Sequence, residues 1–598
     1  KICKGPFGPF FLLSLLGMRV LFVLFLIGLL PVKILSQINL FSASYDSLRS
    51  DDRIEGTLND LEISSRFFDA AFILSKSSSR FLSLNSLTPY GSKIHQFKAV
   101  NNNRIVSPLP HMGFSYIFGT QGAQKLGVEY QQVFQGDWVL NSAVSNIKSG
   151  GYFRNTAYGN TNLTFSLTKK NERYGFSLSG RTTKVSRQWS GGVIDSVLLE
   201  SFAPLLVPVY KPNCNSTLKY FETEATGYIR LISNEKYSIG FLNVLGVNGE
   251  NRVYTELDTL SGIYSTIYYD SLSTNDQYQR SAITNSSALY IKRENLSYSA
   301  GIGSRYWNYR NRDLYRDTFE LDVIQQFELS KRKFQFSHQS SFNLIGAANT
   351  WVIRNDVKYR FKKAVMKWSS TFGQTLPELY QRFYSANNVF YSNVNQSLQS
   401  YTQNTLGINF TLKRLEFDLG YLLQTNNGVY FFDPLLLNWS NQTDLNSSVS
   451  QQAYLKTSYV FRKFHWYQSY RFTHSNIDRT IIPKHQLQGN FMTRLGLFKA
   501  KKLQMTFGLS YHLTSKTNII PIIENIGVFD LLNVSSQNNQ KPLFTMGAML
   551  AMEIETFRFF VKLSNMGYLW NSTSWQYIDG IYLPEVAVRV GLTWDFWN

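Results

Sequence analysis

From Glu585 the chain reads EVAVRVGLTWDFWN, with an apolar residue at every second position. Val586, Val588, Val590, Leu592, Trp594 and Phe596 fall on one face of an extended strand, and Ala587, Arg589, Gly591, Thr593 and Asp595 on the other. The same alternation recurs along the chain. Trp351, Ile353, Val357, Tyr359 and Phe361 alternate with Val352, Arg354, Asp356, Lys358, Arg360 and Lys362. Leu415, Phe417, Leu419, Tyr421 and Leu423 alternate with Glu416, Asp418 and Gln424. Phe319, Leu321, Val323, Phe327 and Leu329 do so with Glu320, Asp322, Gln326 and Glu328, and Phe557, Phe559, Val561 and Leu563 with Arg558, Lys562 and Ser564. Such segments run about ten residues, the length a tilted strand needs to cross a hydrocarbon core. Strands of soluble sheets stop nearer to about five or six.

The spacing between strands alternates as well. Short basic turns (KKNER at 169–173, SNEK at 233–236, KREN at 292–295, SKRK at 330–333, KR at 413–414, RK at 462–463, KAKK at 499–502) close one set of hairpins. Longer Asn-, Ser-, Tyr- and Pro-containing connections separate them, at 183–215, 247–277, 376–397, 425–448, 514–541 and 566–584. Short turns at one end and long loops at the other are the mark of an up-and-down membrane barrel, with the short turns periplasmic. Stepping backward from a periplasmic C-terminal strand keeps every tight turn on the periplasmic side. The pattern predicts an all-β fold: a closed antiparallel up-and-down transmembrane barrel of about 20 to 22 strands over 112–598. Closure is required because an open strand edge in lipid leaves backbone groups without partners.

The N-terminal residues read differently. From Met18 the sequence MRVLFVLFLIGLLPVKILSQ has one positive charge, an apolar core and a small residue, Ser36, before Gln37. That order predicts a signal peptide at 18–36 and an upstream extension at 1–17. Residues 37–111, with SKSSSR and VNNNR stretches, are expected to form a short non-barrel segment, periplasmic or inserted in the lumen.

Composition narrows the function. The 598 residues are 15% aromatic and 17% charged, and 60 Lys and Arg against 40 Asp and Glu give a formal charge of +20. The basic residues are spread over turns and alternating strand positions, so they predict contact with the anionic lipopolysaccharide and lipid of the membrane and argue against nucleic acid. With two cysteines, Cys3 and Cys214, and no HExxH or paired-Cys spacing, no metal or other cofactor is called for, and the chain is not read as an enzyme. His338, beside Ser337, Ser340 and Ser341, is the nearest approach to a Ser–His pair, and a polar wall residue is the simpler reading. Cys214, in PNCNS, is expected as a free thiol in a loop. SVLLESFAPLLVPVY at 196–210 is an apolar stretch between strands, readable as a lumenal constriction, a partner contact or a short capping helix.

Five segments, NTWVIRNDVKYRFKK (349–363), IIPKHQLQGNF (481–491), GLFKAKKLQMTFGLSYHL (496–513), RFFVKLSNMGYLWN and YLPEVAVRVGLTWDF (both within 558–596), resemble the putative porins of the Bacteroidetes. That resemblance implies an outer-membrane location and passive transport, and supplies no catalytic residues. The leading expectation is therefore a channel for diffusion of small hydrophilic solutes. Its lumen would be lined by Glu320, Asp322, Arg354, Asp356, Arg360, Glu416, Asp418, Arg558 and Lys562. The terminal residues Val590, Leu592, Trp594 and Phe596 resemble the signal read by the barrel-assembly machinery. The alternative is a closed barrel in a secretion, adhesion or uptake complex, acting through protein partners at its loops or N-terminal segment.

Overall fold

A computed structural model of the chain describes residues 109–598, apart from 258–263, 394–396, 441–446, 477–482, 531–540, 572–575 and isolated positions in other turns and loops. The expected extension, signal peptide and nearly all of the 37–111 segment lie outside the described residues. Twenty-two strands form one antiparallel sheet. They are β1 (His111–Gly119), β2 (Ala123–Phe134), β3 (Trp138–Ser149), β4 (Tyr158–Lys170), β5 (Tyr174–Gln188), β6 (Cys214–Ser233), β7 (Tyr237–Leu257) and β8 (Ser273–Arg293). There follow β9 (Leu296–Asn311), β10 (Leu314–Lys331), β11 (Phe334–Ile345), β12 (Trp351–Arg360), β13 (Ala364–Thr375), β14 (Gln399–Leu412) and β15 (Leu415–Asn427). The wall is completed by β16 (Ser447–Phe461), β17 (Phe464–Ser475), β18 (His485–Leu497), β19 (Leu503–Thr514), β20 (Leu543–Ile554), β21 (Phe557–Ser564) and β22 (Ala587–Trp597).

Each strand pairs with its neighbours in sequence, and β1 pairs with β22 from His111↔Trp597 to Gly119↔Arg589. The sheet is thus a closed barrel with no free edge, at the upper end of the expected strand number. Side chains secure the seam on its inner face: His111 Nε2 lies 3.0 Å from Asp595, and Arg589 donates to Thr120 Oγ1 at 2.8 Å. The tight hairpins turn on residues that tolerate a left-handed backbone poorly. Lys413, Arg462 and Glu555 sit at φ 56°, 54° and 52°, the conformation that matches a two-residue turn to strand twist.

Cross-strand register fixes the two faces of the wall. Outward rows such as Phe507 and Leu509 on β19 and Trp594 on β22 remain 42%, 49% and 43% exposed, with no second protein layer over them. In an outer-membrane barrel such rows face acyl chains. No helix among the described residues is long and apolar enough to cross a membrane; the crossing is made by strands.

Wall height is uneven. Strands β6–β8 run 20 or 21 residues, whereas β11–β13 run 10 to 12. The connections expected at 183–215 and 247–277 are correspondingly shorter than the sequence pattern suggested. The tall strands rise past the apolar zone, where their outward positions turn polar and the alternation disappears: Gln277 on β8 donates to Asn251 on β7 at 3.0 Å. Cys214 opens β6 rather than lying in a loop. It is buried, and its thiol donates to Tyr254 Oη at 3.1 Å.

Candidate functional site

The bore carries two kinds of surface, a loop-built cap at the long-loop end and a charged wall. The cap begins with inward positions of two tall strands and their neighbour: Glu250, Arg252, Tyr254 and Glu256 on β7, Asp276, Tyr278 and Arg280 on β8, and Trp307, Tyr309 and Asn311 on β9. Registers Glu250↔Arg280 and Arg280↔Tyr309 place these on one face. Against them pack three in-folded loops. The β13–β14 connection contributes a one-turn helix (Leu379–Arg382) and a small hairpin (Phe383–Ser385 with Phe390–Ser392). The β15–β16 connection adds the hairpin Phe431–Asp433 with Asn438–Ser440, and the β19–β20 connection adds Ile522–Ile523 with Val528–Phe529.

Their aromatic side chains form one buried cluster: Tyr380, Phe383, Tyr384, Tyr391, Tyr430, Phe432 and Trp439 join Tyr278, Tyr309 and Ile526. Tyr384 stacks on Tyr391 with centroids 5.8 Å apart, and Phe432 meets Trp439 edge-on at 5.7 Å. Apolar burial alone would let the rings slide. Hydrogen bonds fix them: Trp439 Nε1 donates to Tyr391 Oη (2.9 Å), Tyr309 Oη to the Phe383 carbonyl (2.7 Å) and Tyr384 Oη to the Asn525 carbonyl (3.1 Å).

Charged groups tie this cluster to the wall. Arg252 donates to the backbone carbonyls of Asn525 and of Glu524, the latter at 2.6 Å. Arg280 pairs with Glu378 at 3.0 Å and Glu250 at 3.4 Å. Lys211, in the β5–β6 loop, reaches Glu524 at 2.9 Å and Glu256 at 3.8 Å. Burial by itself would lower the Lys211 ammonium, but Glu524, Tyr264 and Glu256 around it outweigh that and hold it above the ordinary lysine range. Because β7 and β19 stand on opposite sides of the 22-strand ring, the Arg252 contact with the β19–β20 loop can be made only across the bore. The cap therefore spans the opening.

The charged wall holds a cavity of about 700 Å³ bounded by Glu328, Arg354, Asp356, Lys358, Lys367 and Tyr454 among others. Arg354 pairs with Asp356 at 2.9 Å. Lys358 stands directly across from Lys367. Gly420 leaves room for the Tyr454 ring, which would lie 2.3 Å from any Cβ there, and Tyr454 Oη donates to Asp418 at 3.0 Å. A neighbouring cavity of about 440 Å³ contains Glu416 and Asp418 with Lys456.

The nine residues singled out from the sequence are thus distributed rather than clustered. Arg354 with Asp356, and Glu416 with Asp418, share cavities. Glu320 pairs with Arg305 at 3.2 Å, and Asp322 accepts from Asn343 at 2.8 Å. Arg360 is exposed at the short-turn end of β12. Arg558, nearly buried, pairs with Glu553 at 2.7 Å, and Lys562 lies opposite Arg589, both on the far side of the ring from β12. On β22, Val590, Leu592, Trp594 and Phe596 share the outward face opposite Phe118, Tyr116, Phe114 and Met112. Ser337 and Ser341 turn to the bore, whereas His338 and Ser340 turn outward, and His338 Nδ1 lies 2.8 Å from Asn355 Oδ1.

Arg252, Tyr278, Tyr309 and the cap aromatics were not anticipated. A signal for them was present in FYSANNVFY (383–391) and VYFFDPLLLNW (429–439), where rings crowd loops that polar residues would ordinarily fill.

The sequence matches the family described as "Putative porin" over residues 76–598. The chain belongs to that family. Among solved structures, this porin-family barrel is similar to the siderophore receptor PirA from Acinetobacter baumannii (9% identity, 82% of this chain and 81% of that one, TM-score 0.58). It is also similar to the copper transporter OprC (9%, 82% and 81%, 0.58) and to the FrpB iron transporter from Neisseria meningitidis (8%, 82% and 82%, 0.58). At these identities the likeness is one of fold. No curated protein matches the sequence. Family and barrel together make this porin-family chain an outer-membrane protein.

Proposed function

We propose that the barrel carries small hydrophilic solutes across the outer membrane by diffusion, with the in-folded loops setting what enters. The observation that carries this reading is the pairing of a mixed-charge bore with a cap that crosses it. The wall offers Arg354, Asp356, Arg360, Glu320, Asp322, Glu416, Asp418 and Lys562 to water and solute, with Arg558 buried behind them against Glu553, and charged linings of this kind set selectivity in wide pores. The cap narrows the passage with the barrel's own loops. Planar-bilayer recording of the purified protein tests it. Step-like conductance that grows when residues 383–392 are replaced by a short Gly-Ser linker is expected. Absence of current from both proteins would overturn the reading.

A second reading, a closed barrel working through protein partners, is favoured by the 196–210 loop. It forms two short 3-10 turns whose Val197 and Leu206 are 67% and 71% exposed, an unusual display for a loop in water. Recognition of Trp594 and Phe596 by the barrel-assembly machinery fits either reading.

A further inference from the structure

The outward face of the wall is not apolar all round. Along β7–β13 every strand carries a polar residue bracketed above and below by apolar ones. Asn243 lies between Phe241 and Leu245, Asn285 and Ser287 between Ile283 and Leu289, and Ser304 between Ile302 and Tyr306. Gln325 lies between Val323 and Phe327, His338 and Ser340 between Phe336 and Phe342, Asn355 between Ile353 and Val357, and Ser370 between Trp368 and Phe372. The register makes the later members contiguous: Gln325 is opposite Ser340, His338 opposite Asn355, and Asn355 opposite Ser370.

Acyl chains neither donate nor accept hydrogen bonds, so a polar group facing them must find its partners in protein. On β7 and β8 the band satisfies itself, with Asn243 Nδ2 donating to Asn285 Oδ1 and Ser287 Oγ at 2.8 Å each. On β10–β13 it does so only in part. His338 and Asn355 bond to each other, while the half-buried side-chain amide of Gln325, open to the outer face, makes no hydrogen bond within the wall.

We propose that the β10–β13 face, centred on Gln325, His338 and Asn355, is where a second copy of this chain docks within the membrane. Two properties select a copy over another partner. The patch carries no formal charge, and the amides of Gln325 and Asn355 and the His338 imidazole each hold both a donor and an acceptor, so it is complementary to itself. All copies also enter the membrane in one orientation, so a two-fold axis along the membrane normal sets each polar row against its equivalent at the same depth.

The test uses protein extracted from membranes in mild detergent. Native mass spectrometry should show an assembly of two or more copies. The combined variant Gln325→Leu/His338→Leu/Asn355→Leu should weaken that assembly at least about tenfold while keeping the heat-modifiable gel migration of a folded barrel. Asn355→Cys should be bridged by a short bismaleimide into a species of twice the chain mass, and Val590→Cys on β22 should not; Cys214 is buried and adds little background. A wild-type protein that is monomeric and fails to cross-link at position 355 would overturn the proposal. So would a cross-link from that position to a different protein.

Discussion

Strands β19–β22 and β1 turn outward an unbroken row of Leu, Phe, Met, Val, Ile, Ala, Trp and Tyr, whereas β7–β13 interrupt theirs with Asn, Ser, Gln and His at mid-height. The same backbone geometry serves both arcs, so the difference lies in what each arc must touch. An apolar row is complete when lipid covers it. A row containing amides and hydroxyls is complete only when other hydrogen-bonding groups do. The bore shows a parallel division: β7–β9 support the cap, while β10–β13 contribute much of the lining of the larger charged cavity.

Four substitutions would sharpen or break these contrasts. The largest effect belongs to Leu550→Arg, a charge placed in the apolar arc. It should cost about 2–4 kcal/mol, read as a lower unfolding midpoint in urea for protein folded into vesicles. An unchanged midpoint would mean that this arc does not face hydrocarbon. Next comes Arg252→Ala, which strips the donors from the Glu524 and Asn525 carbonyls and should cost about 1–3 kcal/mol. The loss should appear as faster hydrogen exchange at 521–530 and larger conductance, with the wall strands unaffected. Asn355→Leu should change monomer stability by only about 1 kcal/mol or less, since it trades one hydrogen bond for lipid contact; its main consequence should be fewer assembled copies. The smallest stability effect is expected of Arg354→Ala, whose exposed pair with Asp356 is worth less than about 1 kcal/mol. Its signature is a reversal potential in a salt gradient shifted toward cations.

The barrel was legible in the sequence because two independent rhythms, alternation within strands and alternation of short and long connections, had to agree before the sheet could close. The heights of β6–β8 were not, because above the hydrocarbon both faces of a strand are wet and alternation carries no signal. Nor was the cap, since Arg252, Tyr384 and Trp439 are brought together only by loops crossing from opposite sides. The polar band escaped for a plainer reason: alternation counts the matches at 351, 353, 357 and 359 and passes over Asn355, the outward position that breaks the rule. Arg354 with Asp356, and Glu416 with Asp418, were placed on shared faces by period-two spacing alone, but spacing says nothing of the cavities that separate the two pairs.

The seam between β1 and β22 has a consequence for biogenesis. A ring whose clasp is formed by its two ends cannot be fastened early. Until residues 587–597 emerge, the hydrogen-bonding rims of β1 and β21 stay raw and ready to pair with any passing strand. A message cut before Ala587 would thus leave a protein with nearly all its hairpins intact and no way to finish, one that should be found clumped or digested in the periplasm and not in the membrane.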